Sequence, residues 1–411
     1  MTEQDPGAKA QAWLHRLAQC SEPGPGVTRL PFTPEHRAAV ELLTGWMTEA
    51  GLSVRMDAAG TLIGRLEGPA GAPTLLLGSH QDSVREGGAY DGIMGVVLPI
   101  LALMELRDRG ERLPYAVEVL AFADEEGVRF PTALMGPRAL AGTFDMAALD
   151  LRDGDGIPLR EAMIGFGLDP DALPALRRDP AQTLGWIECH LEQGPVLESR
   201  QRSLGVVTAI CGIERHAVTL TGRAAHAGTV PMELRRDALA AAAELVLAVE
   251  RCAREREPVL ATVGQLEVRP GAVNAIPGSV QLTVEVRSAL DAERERAAAD
   301  LMAEARAIAE RRGCGIEMAR TYAQAATTCA AGMTRRLGDA LVAAVGSSSL
   351  LPSGATHDAS AMADLCPVGM IFTTCREGVS HHPDEYVPPA AMADVIEALV
   401  ATLVALKDSE R

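Results

Sequence analysis

The first half of the chain consists of short apolar runs that alternate with segments of helical spacing. The runs at residues 75–78 and 117–123 are nearly continuous, as in strands that are buried on both faces of a parallel sheet. Thr33 and Pro34 precede apolar residues at helical spacing and Gly51 follows them, so we predict a helix between these positions. The alternation of strands and helices indicates an α/β fold.

The pattern changes after about residue 212. Residues 216–221 and 280–287 alternate between apolar and polar side chains, which is typical of strands with one buried face. Helical patterns at residues 237–255 and 292–311 flank these strands. We therefore predict an inserted α+β domain at residues 213–327. Residues 1–212 and 328–411 would then form one discontinuous α/β domain.

Six residues with metal-binding or acid–base chemistry lie at the ends of apolar runs or in turns. They are His80, Asp91, Glu125, Glu126, His190 and His381. In open α/β sheets, ligands bind beyond the carboxyl ends of the strands, so side chains at these positions are expected to converge. Imidazoles and carboxylates suit zinc, manganese, cobalt or nickel. A two-metal hydrolase is therefore the first hypothesis.

Each of these residues also has an ordinary structural explanation. His80 and Asp82 face the same side of an extended chain, so Asp82 could orient a ligand or simply satisfy a strand end. The adjacent Glu125 and Glu126 could form an exposed acidic loop. Alternatively, one of them could bind a metal ion while the other accepts a proton from water. The joint occurrence of these residues at strand ends favours the metal hypothesis.

Composition limits the classes of partner and the cellular setting. The formal net charge of −17 argues against a nucleic-acid or anionic-membrane partner. The longest apolar stretch, residues 94–104, is about half the roughly 20 residues that a membrane span needs. The eight cysteines form no Cys-x-x-Cys pair, and no secretory signal is visible at the N-terminus. We therefore expect a cytoplasmic protein.

Several segments resemble the signatures of the M20-type metallopeptidase superfamily, and specifically of its carbamoylase/allantoate amidohydrolase branch. The similarity extends from about residue 30 to residue 400. It is carried by HQDSV at 80–84 with GGAYDG at 87–92, EEGVRFP at 125–131, HLEQGP at 190–195, HAGTVPM at 226–232, SGATHDA at 353–359 and SHHP at 380–383.

The resemblance implies a role for each matching position. Two divalent metal ions per subunit, Zn²⁺ or Mn²⁺ with Co²⁺ or Ni²⁺ also compatible, would be bound by His80, Asp91, Glu126, His190 and His381. Asp91 would bridge the ions, Glu125 would be the general base, and Asp82 would orient His80. The positions that match substrate-binding residues are Gln193, His226, Asn274, Arg287 and Gly354.

The resemblance also implies an architecture and an assembly. The metal-binding domain would have a mixed central sheet, and residues 213–327 would form a lid and dimerisation domain. The protein would be a homodimer in which His226 reaches the active site of the other subunit and stabilises the developing oxyanion. Arg287 would anchor a substrate carboxylate, because its planar fork can bind both oxygens.

The reaction implied is hydrolysis of a linear ureido acid, with release of ammonia and carbon dioxide. Residues 56–60, 139–144 and 366–372 resemble allantoate amidohydrolases, so allantoate is the predicted substrate. An N-carbamoyl-L-amino-acid hydrolase is the alternative. Thr356, Pro137 and His382 stand where the family usually has Gly, Ser and Asn, which leaves substrate identity open.

Two further interpretations remain. The same scaffold could carry a dipeptidase or a deacylase. The protein could also be a non-catalytic ureido-acid-binding protein, but loss of Glu125 or of a ligand would then be expected, and none is lost.

Overall fold

The computed structural model describes residues 5–406, and these residues form two compact units. The first unit contains the chain up to Thr208, Cys329–Leu351 and the chain from Thr356 onwards. The second contains Ala209–Thr328 and Pro352–Ala355. The chain therefore leaves the first unit within a strand and returns to it about 120 residues later.

The helices and strands of the described residues are numbered in chain order. The helices are α1 (Pro6–Leu17), α2 (Pro34–Glu49), α3 (Met94–Asp108), α4 (Met135–Ala141), α5 (Leu159–Phe166), α6 (Val196–Ser199), α7 (Ala238–Glu255), α8 (Asp291–Arg311), α9 (Ala331–Val345), α10 (Asp358–Met362) and α11 (Pro389–Ala405). The strands are β1 (Ser53–Met56), β2 (Leu62–Leu66), β3 (Thr74–His80), β4 (Ala116–Phe122), β5 (Thr183–Leu191), β6 (Leu204–Ile210), β7 (Gly212–Thr221), β8 (Ala225–His226), β9 (Val259–Thr262), β10 (Leu266–Arg269), β11 (Ala275–Ile276), β12 (Ser279–Ser288), β13 (Gly315–Gln324), β14 (Thr327–Thr328), β15 (Leu350–Ser353) and β16 (Val368–Thr373).

The first unit is built on a mixed sheet with strand order β1-β2-β4-β3-β5-β16-β6. The four central strands, β4, β3, β5 and β16, run parallel to one another. The outer strands β2 and β6 run antiparallel to their neighbours. Because the central strands are parallel, their carboxyl ends lie at the same edge of the sheet. The predicted α/β fold with a mixed sheet is therefore confirmed.

Burial explains why the sequences of the central strands are almost entirely apolar. Every residue of β3 and β4 is buried, as expected for strands covered on both faces. Helix α3 is apolar around most of its circumference and packs against β3, β4 and β5 as well as α1 and α11. Helix α2 begins as predicted, with Thr33 Oγ1 accepting the N–H of His36 at 3.3 Å.

The second unit has an α+β fold, with an antiparallel sheet covered by helices. Its main sheet has the order β10-β12-β7-β13, with β9 also paired to β12, and all these pairs are antiparallel. Residues in β12 alternate between buried and less buried positions, as the sequence predicts. Helices α7 and α8 cover the buried face, so the unit has its own hydrophobic core.

Among the described residues, no helix is both long enough and apolar enough to cross a membrane.

Candidate metal centre

The proposed ligands of the first unit gather at the carboxyl edge of the central sheet. His80 is the last residue of β3, Glu125 and Glu126 follow β4, and His190 lies near the end of β5. In the parallel register, His80 is opposite Phe122 of β4 and Gly78 is opposite Glu188 of β5. Three ligand positions that are more than forty residues apart along the chain are therefore brought to neighbouring strand ends.

Three imidazoles point towards the carboxylate of Asp91. The Nε2 atoms of His80 and His190 lie 3.6 and 3.0 Å from Asp91 Oδ1, and the Nε2 atom of His381 lies 3.3 Å from Asp91 Oδ2. Asp91 is only 7% exposed and stands just before α3. Its two oxygens therefore face different histidines, which is the arrangement that a bridging carboxylate requires.

Backbone carbonyls set the tautomers of the two buried histidines. His80 Nδ1 lies 3.0 Å from the carbonyl oxygen of Asp82, and His190 Nδ1 lies 2.9 Å from that of Leu191. Because a carbonyl can only accept, each Nδ1 carries the proton and donates it. The Nε2 lone pairs are then free to bind a metal ion, and the ring orientations are fixed.

The ligand atoms form overlapping groups within which all the atoms lie less than 4.8 Å apart. One group is His80, Asp91 and His190, and another is Asp91, Glu126 and His381. The two groups share only Asp91. A third combines His80 with Glu125 and Glu126. Glu126 is thus close to His381 and Asp91, whereas Glu125 groups with His80 and Glu126 alone.

Asp82 holds the backbone of the glutamate pair. Its carboxylate accepts the N–H of Glu125 at 3.1 Å and the N–H of Glu126 at 3.1 Å. The same carboxylate lies 3.5 Å from His80 Nδ1, further than the carbonyl oxygen of Asp82 itself. Asp82 therefore contacts His80 mainly through its main chain, while its side chain fixes the turn that carries Glu125 and Glu126.

The electrostatics of the cluster are those of crowded, buried acids. Burial favours neutral His80, but hydrogen bonds to Asp82 and Asp91 outweigh it and raise the His80 pKa well above its usual value. Burial raises the pKa of Glu125 well above its ordinary range, against the opposing charge of His80. Burial and the charge of Asp91 raise the pKa of Glu126 to about 7.

The pKa of His381, the most exposed of the proposed ligands, is also raised. The hydrogen bond to Asp91 raises the pKa of His381 to about 9. A divalent cation would supply positive charge to these buried carboxylates. Three imidazole nitrogens, two of them on rings held by backbone carbonyls, and a shared carboxylate fit two divalent ions of the zinc or manganese type.

Gln193 and Ser380 form a polar layer over the shared carboxylate. Gln193 Nε2 donates to Asp91 Oδ2 at 2.8 Å and lies 3.2 Å from Ser380 Oγ. Ser380 Oγ is also 2.9 Å from Asp91 Oδ2. Gln193 and His381 both have positive φ, +57° and +56°. The predicted substrate residue Gln193 therefore lies directly at the metal cluster.

In the second unit, His226 is an exposed residue with a defined tautomer. It pairs with Ala275 across the small sheet formed by β8 and β11, and the carbonyl of the adjacent Asn274 accepts the N–H of Ala227 at 2.8 Å. The imidazole Nδ1 accepts the N–H of Gly228 at 3.0 Å. The proton of the neutral ring is therefore on Nε2, where it can be donated to a ligand. His226 and Asn274 are thus neighbours.

The guanidinium group of Arg287 already makes hydrogen bonds within the second unit. Its Nε and Nη2 lie 2.8 and 2.7 Å from Glu285 Oε1, and its Nη1 donates to the carbonyl of Gly354 at 2.5 Å. Glu285 also accepts from Arg215 Nε at 2.9 Å. Burial opposes ionisation of Glu285, but the two arginines outweigh it and lower its pKa. Of the five N–H groups of Arg287, two remain for a ligand.

The three departures from the family pattern have different surroundings. Pro137 is buried in α4, Thr356 is half-buried before α10, and His382 is exposed, with Nδ1 accepting the N–H of Asp384 at 3.1 Å. The sequence assigns no role to His357, yet its buried ring lies edge-on to His190 with centroids 4.5 Å apart. The sequence assigns no role to Ser380 or Glu385 either, because no local spacing connects them to Asp91.

Comparison with known proteins identifies similar sequences over nearly the whole chain. Residues 76–405 match the sequence profile of peptidase family M20/M25/M40. An N-carbamoyl-L-amino acid amidohydrolase from Geobacillus stearothermophilus is 40% identical over 391 residues, which is 95% of each chain. An allantoate deiminase from Arabidopsis thaliana is 37% identical over 411 residues, covering 92% of this chain and 78% of that protein.

The fold is similar to that of solved amidases. An amidase of the hydantoinase/carbamoylase family from Burkholderia multivorans superposes with a TM-score of 0.92 at 31% identity, and the match covers 98% of each chain. Sequence and structure comparisons therefore agree on the same group of hydrolases.

Proposed function

Since the chain belongs to peptidase family M20/M25/M40 and is a metal-dependent hydrolase of the ureido-acid amidohydrolase group, we propose that its substrate is allantoate. Allantoate is a carboxylate whose α-carbon carries two ureido groups. The observation that supports the hydrolytic part of the proposal most directly is the convergence of three Nε2 atoms on Asp91, with Glu125 beside them.

The proposed ligands are His80, Asp91, Glu126, His190 and His381. Two divalent ions held by these residues would polarise and acidify the attacking water. Zn²⁺ and Mn²⁺ are the proposed ions, because both accept mixed imidazole and carboxylate ligands. Asp91 would serve both ions, since its two oxygens face different histidines.

Glu125 is the proposed general base. It would accept a proton from the attacking water as the ureido carbonyl is attacked, and would then donate that proton to the leaving nitrogen. Its burial suits this role, because a raised pKa makes a carboxylate a better proton acceptor. The carbamate released would break down to ammonia and carbon dioxide.

Several further residues are proposed to bind the rest of the substrate. His226 would donate its Nε2 proton to the developing oxyanion, acting in trans within a homodimer. The two remaining N–H groups of Arg287 would bind the substrate carboxylate, with help from Asn274, Gly354 and Gln193. Its pairing with Glu285 keeps the guanidinium in one orientation, which reduces the entropy lost on binding.

Hydrolysis of N-carbamoyl-L-amino acids is the second candidate. It is favoured by the Geobacillus stearothermophilus relative, which is more similar to this chain than the Arabidopsis thaliana allantoate deiminase. Both substrate classes have a ureido group and a carboxylate on one carbon. They differ in the third substituent, which is a second ureido group in allantoate and an amino-acid side chain in the alternative.

The test is ammonia release by protein reconstituted with Mn²⁺ or Zn²⁺. Allantoate and N-carbamoylglycine form the decisive pair, because they differ only in the second ureido group. We expect kcat/KM for allantoate to be at least about tenfold higher, since one or two extra polar contacts are worth about 1.4 kcal/mol or more. A higher value for N-carbamoyl-L-amino acids would instead establish the second candidate.

A wider panel distinguishes the remaining interpretations. Cleavage of dipeptides or N-acyl amino acids without cleavage of any ureido acid would overturn the proposal. Tight binding of a ureido acid by metal-loaded protein that hydrolyses nothing would indicate a non-catalytic binding protein.

A further inference from the structure

One buried carboxylate connects the two loops that carry Asp91 and His381. Glu385 is 4% exposed and lies in the segment between β16 and α11. Its Oε1 accepts the backbone N–H of Tyr90 at 2.9 Å and that of Asp91 at 3.0 Å. These residues are far apart in sequence, so this contact joins the turn before α3 to the C-terminal ligand loop.

The other oxygen of Glu385 extends the connection to the side chain of Asp91. Ser380 Oγ lies 3.0 Å from Glu385 Oε2 and 2.9 Å from Asp91 Oδ2. Ser380 directly precedes His381, which has a positive φ of +56°. Glu385 therefore contacts the main chain of Asp91 directly, and also contacts the side chain of Ser380, the neighbour of His381.

The glycine-rich turn leaves room for this carboxylate. A Cβ atom at Gly88 would lie 2.2 Å from both Cδ and Oε1 of Glu385, so a side chain there would displace the carboxylate. Burying a carboxylate is costly unless hydrogen bonds offset the loss of water. Two backbone N–H groups and the Ser380 hydroxyl provide those bonds, and all three partners belong to a proposed ligand or to a residue next to one.

We propose that Glu385 is a positioning residue for the metal cluster, which fixes the backbone of Asp91 and the loop of His381 as one rigid element. This inference rests on the proposed ligand set, but on neither of the candidate substrates. Because Asp91 belongs to both metal-ligand groups, loss of Glu385 should loosen both ions together.

The chemistry of the contact predicts which substitutions are tolerated. In Glu385→Gln, the amide oxygen can still accept both backbone N–H groups and the NH₂ can donate to Ser380 Oγ, so metal retention should be preserved. Glu385→Asp is shorter by one methylene and cannot reach all three partners. Glu385→Ala removes them all.

The experiment measures bound metal per chain and the rate of metal loss to excess chelator. We expect Glu385→Ala and Glu385→Asp to bind both ions about 10- to 100-fold less tightly, as is usual when a residue that orients metal ligands is removed, and to lose them correspondingly faster. Glu385→Gln should stay within about threefold of the wild type. Hydrogen exchange at the Tyr90 and Asp91 amides should accelerate in the first two variants only.

Asp57→Ala is the matched control. Asp57 is 6% exposed, and its Oδ1 also accepts two backbone N–H groups, from Ala59 at 2.9 Å and Thr61 at 3.0 Å. Among the described residues, Asp57 belongs to none of the groups of potential metal ligands. Its loss should therefore lower the free energy of unfolding but leave metal retention unchanged.

The outcomes separate this inference from the proposed function. If the wild type binds no divalent ions, the ligand set is wrong and the inference falls with it. If the wild type holds two ions and the folded Glu385→Ala chain releases them at the wild-type rate, the ligand set stands and the inference is overturned. If Glu385→Ala does not fold, equal metal retention by the Gln and Asp variants would overturn it.

Discussion

At the residue scale, two adjacent glutamates have different surroundings. Glu126 groups with Asp91 and His381, whereas Glu125 groups with His80 and Glu126. The Asp82 carboxylate binds the backbone N–H of both residues and so fixes the turn that separates their side chains. This geometry favours a ligand role for Glu126 and a proton-transfer role for Glu125, the roles that the family resemblance implies.

Replacement of Glu125 by Gln tests this division of roles. We expect kcat to fall by roughly a hundredfold or more, because the amide cannot accept a proton. Metal content should remain near that of the wild type, since the proposed ligands are untouched. Glu126→Gln is the comparison and should lose metal as well as activity. Near-normal turnover by Glu125→Gln would remove its proposed role.

At the element scale, β3 depends on one close approach between backbones. Gly78 lies in the strand that ends at His80, with φ +146°, and a Cβ there would lie 2.0 Å from the carbonyl oxygen of Leu120 in β4. A side chain could be accommodated only if β3 and β4 moved apart. The strand that presents His80 therefore requires glycine at this position.

Two glycine-to-alanine substitutions should therefore act in opposite directions. Gly78→Ala should lower the free energy of unfolding by about 3 kcal/mol or more, because it strains the central pair of strands. Gly45→Ala, within α2 and with no atom within 4 Å of the added Cβ, should raise it by about 0.5–1 kcal/mol. Urea unfolding of both variants without metal is the measurement. Equal effects would contradict the packing argument.

At the scale of the whole molecule, the chain is divided into two units with separate cores. The proposed metal ligands and Glu125 lie in the first unit, whereas His226, Asn274, Arg287 and Gly354 lie in the second. The lid and dimerisation roles of the second unit remain predictions from the resemblance. A complementation experiment addresses the assembly directly.

Mixed dimers should recover activity if His226 acts in trans. A His226→Ala chain keeps Glu125, and a Glu125→Gln chain keeps His226, so a heterodimer contains one complete site and one doubly defective site. Random mixing makes half the dimers heterodimers, which predicts about one quarter of wild-type activity. Each variant alone should remain nearly inactive. Verified heterodimers without recovered activity would show that His226 does not act in trans.

Local sequence determined much of this protein. Apolar periodicity predicts β3, β4 and the alternating strand β12, and capping residues predict the start of α2, because these signals depend on neighbouring residues alone. Strand-end positions also mark His80, Glu125, Glu126 and His190.

Only the tertiary structure decided that Asp91 meets three histidines, that Glu385 joins two ligand loops and that Glu285 holds Arg287. The first two sets of contacts link residues that are far apart in the chain. The third depends on which donors the Glu285 carboxylate meets in the folded protein. Local spacing therefore encodes none of the three.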